Sequence, residues 1–208
     1  MKLKNTTGAG IKDCKEALEA SGGNFDKAVA YLREKGKAAV AKKQDRIAAE
    51  GYVGVYSHSG KIGVVVEINC ETDFAARSET FQELVKNIAM QIAASNPLYL
   101  DETQVPTEEL EKEKEILRNK AKAEKKPPQV IEKMLEGQVK KYYGEVCLMH
   151  QSYIKDPAKT IVDVVTEATA TIGEKISIRR FVRYELGEGI EKKQENFADE
   201  VAKVSAKK

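Results

Sequence analysis

Between Gly51 and Ala93 the apolar residues change period once, and that change restricts the fold more than any other feature of the chain. Val53 and Val55 alternate with small or polar residues, and Ile62, Val64, Val66 and Ile68 line one face of a second extended run. His58-Ser59-Gly60-Lys61 lies between them as a hairpin turn. Phe81, Leu84, Val85, Ile88, Ala89, Ile92 and Ala93 then recur at helical spacing and stop before Asn96-Pro97. A stripe of that width has to lie on the sheet or on another helix. The unit is strand, strand, helix.

On the N-terminal side, Ile11, Cys14 and Leu18 form one short helical face, and Phe25, Val29 and Leu32 form another. Gly22-Gly23 stops the first helix and Asn24 can cap the second. Lys37 to Glu50, rich in alanine and lysine, reads as a helical connector. On the C-terminal side, residues 107–143 are mostly charged with a thin apolar seam interrupted by Pro127-Pro128, which predicts a projecting antiparallel helical hairpin. Thr160 with Asp163 resembles a capping box, and Gly173 can end the helix it opens. Ile176, Ile178, Val182 and Tyr184 alternate with polar positions, as in a strand that returns to complete the sheet. The fold class is α+β: a small helical module over residues 1–50, then an antiparallel-sheet core with packed helices over residues 51–208.

The 35 basic and 33 acidic groups leave a net charge of +2, too balanced for the dense positive field that a phosphate backbone recruits. Direct binding of nucleic acid is not expected. Only Lys203 to Lys208 forms a basic tail, which a solvated terminus explains. No apolar run approaches the ~20 residues that span a bilayer, and the start carries no apolar secretory region, so the expected address is the cytoplasm, with no membrane partner. Cys14, Cys70 and Cys147 are odd in number and far apart, which argues for reduced, buried thiols and against a zinc site. His58 and His150 lie in no nucleophile or metal signature, and Thr7-Gly8-Ala9-Gly10 lacks the G-K-[ST] ending of a phosphate loop. No catalytic residue, metal or cofactor is expected.

Cys70-Glu71-Thr72-Asp73-Phe74-Ala75 sits where strand period hands over to helix period and offers a carboxylate beside a benzyl ring. Such a pair at a rigid corner suits insertion into a partner protein. A structural explanation stands beside it: Thr72 or Asp73 caps the next helical turn while Phe74 fills the core.

The run Thr7-Gly8-Ala9-Gly10-Ile11-Lys12-Asp13-Cys14-Lys15-Glu16-Ala17-Leu18 resembles the opening signature of the bacterial elongation factor Ts family, nucleotide exchange factors for elongation factor Tu. Further motifs follow in family order. They are Tyr31-Leu32-Arg33-Glu34-Lys35-Gly36, the hairpin from His58 to Gly63, Cys70 to Phe74, Ile92 to Pro97, Tyr143-Gly144-Glu145, and Phe181 to Gly189. The resemblance covers essentially the full chain. It implies that the helical module is ubiquitin-associated-like and that the chain, with a single core unit visible, pairs as a homodimer on two partner molecules. It also implies a mechanism, in which Asp73 and Phe74 intrude near the magnesium and phosphate region of elongation factor Tu and loosen its nucleotide.

By the same resemblance Thr72 belongs to the partner-binding set, His58 meets a partner helix, and Ile11 and Lys12 contact the guanine-nucleotide-binding domain. Relatives often carry two apolar residues at the last pair, so Lys12 is a departure. Ala75 replaces a commonly larger aliphatic residue and Gln91 a common histidine, changes expected to tune affinity. Only six residues precede Thr7 where relatives carry a full first helix, so either a frayed module or a trimmed chain start is expected. Two other functions remain open from the residues: a helical peptide-binding adaptor built on the first fifty positions, and an RNA-binding accessory of translation built on the lysines of the connector and hairpin.

Overall fold

The structure, a computed structural model, describes residues 1–7, 9–43, 45–123 and 127–190. Gly8 and the lysine tail named above lie outside the described residues. Helices α1 (Lys2–Thr7), α2 (Ile11–Ala20) and α3 (Phe25–Ala41) close around Leu3, Cys14, Ala17 and Ala28. Leu3 is buried, which anchors α1 where fraying was expected. Gly22 and Gly23 take positive φ at the end of α2, and the Asn24 side chain accepts from the Lys27 amide at 3.0 Å to open α3.

The helix does not restart at Lys37. It runs through Gly36 to Ala41 and packs on a helix from the far end of the chain. A Cβ at Gly36 would sit 3.5 Å from the Thr166 methyl, so the glycine marks a close helix crossing, and burial there outweighs its poor helical propensity.

The core follows. Strands β1 (Glu50–His58) and β2 (Ile62–Cys70) form the hairpin, a single turn α4 (Asp73–Ala76) marks the corner, and α5 (Glu79–Ser95) lies across the sheet. Ser59 and Gly60 both take positive φ within the three-residue connection, and the Lys61 amide donates to the His58 carbonyl at 2.9 Å to close the turn. Helices α6 (Thr107–Ala123) and α7 (Pro128–Val146) make the arm, tied at its base by the Tyr99 hydroxyl donating to Glu109 at 2.8 Å. A small ribbon, β3 (Ser152–Tyr153) with β4 (Asp156–Thr160), leads into α8 (Ile161–Ile172), and β5 (Ser177–Glu185) completes a three-stranded antiparallel sheet in the order β1-β2-β5.

Val64, Val66 and Ile68 of β2 face Phe81, Leu84, Val85, Ile88 and Ile92 of α5, and together they form the main core. Helix and sheet meet tightly at Gly54, where a Cβ would come within 2.3 Å of Val85. The apolar alternation of the last strand does not keep one face. A bulge between the Glu67 and Ile68 pairings turns Ile178 inward but Val182 and Tyr184 outward. Val53, Val55, Val65, Val182 and Tyr184 thus share the face opposite α5, and all five are exposed.

Gln91 lies wholly inside. Its amide donates to Ser95, Gln151 and the Ser152 carbonyl and accepts from the Ile154 amide, joining α5 to the ribbon. Ala75 is also buried.

Candidate functional site

At the end of β2 the chain turns out of the sheet. Thr72, in extended conformation, is the N-cap of α4, and its hydroxyl accepts from the Ala75 amide at 3.2 Å. Capping is therefore real, but Phe74 does not fill the core. Its ring is 88% exposed while Ala75 and Ala76 point inward, so the single turn directs the large residue to solvent and the two small ones to the packing. Nothing in the fold needs that ring outside.

Asp73 is exposed beside it and meets Arg77 one turn on, with distances of 2.7 and 3.2 Å from the two carboxylate oxygens to the guanidinium. The pair is readable from its i,i+4 spacing alone. It is a surface ion pair of small energetic weight, which keeps the carboxylate oriented at little cost to any partner that displaces it.

The corner is braced by groups remote in sequence. Glu71 accepts from the Lys175 amide at 2.6 Å and meets Arg46 at 3.2 Å, and the amide first and the guanidinium second hold its carboxyl below the ordinary range. The carboxylate of Glu174 receives the backbone amides of Glu71 and Thr72. Beneath them the buried Cys70 thiol donates to the Thr72 carbonyl at 3.2 Å, and burial raises its pKa. No sequence signal linked residues 71–72 with 174–175.

The other sequence-proposed residues lie elsewhere. His58 is exposed at the end of β1, where its Nδ1 lies 3.1 Å from the Tyr56 hydroxyl and its ring stacks on the Tyr56 ring at 6.2 Å between centroids. The hairpin tip and the corner sit at opposite ends of β2, roughly 25 Å apart at ~3.3 Å per residue. Ile11 and Lys12 open α2 on the helical module, both exposed, Ile11 beside a shallow groove shared with Cys14 and Leu18. Three separate patches result, with Thr72, Asp73 and Phe74 together in one of them. Among the described residues no group of three or more His, Cys, Asp or Glu side chains is arranged to hold a metal ion, and no helix is long and apolar enough to cross a membrane.

Comparison with known proteins places this architecture. The family model described as Elongation factor TS matches residues 11–188. The Elongation factor Ts of Desulfitobacterium hafniense is 58% identical over 202 residues, covering 97% of this chain and 93% of the relative. That of Alkaliphilus oremlandii is 56% identical over 204 residues, covering 98% and 94%, and that of Myxococcus xanthus 55% identical over 201 residues, covering 97% and 93%. With the braced corner and its exposed ring on an α+β core, the chain belongs to the elongation factor Ts family.

Proposed function

We propose that this chain is a guanine nucleotide exchange factor that binds elongation factor Tu and speeds release of GDP without a covalent step. The observation that carries the reading is Phe74, a large apolar side chain left 88% exposed on a corner that several long-range bonds hold fixed. Burying such a ring in a partner is worth about 1.5–3 kcal/mol, enough for a tenfold or greater gain in affinity. Asp73 supplies a charge that disturbs the hydrogen bonding around the partner's magnesium and phosphates, and neither residue has to become a ligand of the ion.

The linkage is reciprocal. A factor that weakens nucleotide binding holds the nucleotide-free partner more tightly by the same free energy, ~1.4 kcal/mol per tenfold. Exchange is accelerated in either direction, and the cytoplasmic nucleotide pool sets which nucleotide rebinds. Thr72 holds the turn, His58 on its tyrosine platform meets a partner helix, and Ile11 with Lys12 touches the nucleotide-binding domain. The wide spacing of these patches suits a partner of more than one domain.

The chain acts as a homodimer on two partner molecules, and the open sheet face with its three strands of exposed valines and Tyr184 is the surface we assign to the second copy. The separate hydrophobic clusters of the helical module and the sheet support a division near residue 50. An adaptor built on the first fifty residues would leave the exposed Phe74 without a role.

The test is release of labelled GDP from elongation factor Tu with the wild-type chain and with Asp73→Ala and Phe74→Ala. Acceleration by the wild type and its loss in both variants is expected. An unchanged release rate with the wild type sinks the reading.

A further inference from the structure

The loop between α8 and β5 carries a carboxylate aimed at the corner. Gly173 ends α8 in the left-handed region, with φ 84°, and this turn brings the next residue, Glu174, to the backbone of residues 71–72. One oxygen of Glu174 accepts from the Glu71 amide at 3.1 Å and the Thr72 amide at 3.0 Å, and the other accepts from the Thr72 hydroxyl at 2.6 Å. The clasp is returned by the Lys175 amide donating to Glu71 at 2.6 Å. Thr72 is thus a relay: its hydroxyl donates to Glu174 and accepts from Ala75 inside α4.

A single helical turn of four residues has no stability of its own, so its direction has to be imposed from outside. Three charge-assisted bonds to the residue before Asp73 and to its neighbour are what imposes it. We propose that Glu174 is a positioning residue for exchange, fixing Thr72 as the cap and thereby the direction in which Asp73 and Phe74 project. This rests on the reading of Asp73 and Phe74 as the exchange wedge. A wedge already ordered avoids the cost of freezing it at the moment of contact.

The experiment is a double-mutant cycle on the stimulated GDP release rate at saturating chain, with Glu174→Ala, Glu174→Gln, Phe74→Ala and the double variant Glu174→Ala/Phe74→Ala. Glu174→Ala should lower the rate roughly tenfold, Glu174→Gln, which keeps an acceptor for the amides, should restore most of it, and Glu174→Ala should add little on the Phe74→Ala background. Hydrogen exchange at the Thr72 amide should quicken in Glu174→Ala while α5 keeps its protection. A merely structural residue would give losses that multiply in the double variant and faster exchange throughout the core, and that result overturns the inference. A stimulating wild type with an equally active Glu174→Ala variant also overturns it, and leaves the exchange reading standing. A wild-type chain that does not stimulate release overturns both.

Discussion

Phe74 and Phe81 lie in neighbouring helices and meet opposite environments, the first almost wholly in solvent and the second fully enclosed between α5 and the sheet. Truncating Phe81 to alanine removes ring volume from a packed core and should cost about 3–5 kcal/mol in urea unfolding. Phe74→Ala removes nothing that the monomer packs against, so its unfolding midpoint should stay within about 0.5 kcal/mol of wild type. An effect on exchange from that variant would then reflect the contact and not the fold. The thiols supply a second check at this scale. Burial raises the pKa of Cys70 and pushes Cys147 up to about 11, so in the native chain both should react with a maleimide far more slowly at neutral pH than after unfolding.

Among the elements, the corner has a pH dependence whose sign follows from Glu71. Its carboxyl titrates below its ordinary value of 4.5 because the Lys175 amide, and then Arg46, favour the charged form. The stabilisation is therefore complete above that value and is lost as the pH falls through the lowered one. Denaturant midpoints measured across that acid window should drop less steeply in Glu71→Gln than in wild type. At the start of α8 the capping box is formed in both directions, and Thr160→Ala should cost about 1 kcal/mol. That box was legible because Thr160 and Asp163 are local, as were Asn24 at α3, the hairpin turn and the stripe of α5. The bulge that sends Val182 and Tyr184 outward was not, since a single inserted residue is invisible to alternation and is fixed only by pairing with β2. The exposed ring beside a cap was half legible: spacing pointed to Thr72 and Phe74, but the clasp from Glu174 depends on the long-range return of the chain.

For the whole molecule, the sheet packs α5 on one face and leaves five large apolar side chains exposed on the other, a surface that a second sheet about 10 Å away would cover. Light scattering should give the mass of two chains for wild type and of one for the double variant Val55→Lys/Val182→Lys, and a wild-type mass of one chain would contradict the proposed pairing. In the proposed function, the exposed ring on a braced corner is what expels the nucleotide. Its most direct test is the rate of labelled GDP release from elongation factor Tu followed against the concentration of this chain. Wild type should raise the rate to a plateau, and Phe74→Ala, folded and equally stable, should lower that plateau roughly tenfold or more. A Phe74→Ala plateau equal to that of wild type would contradict the account.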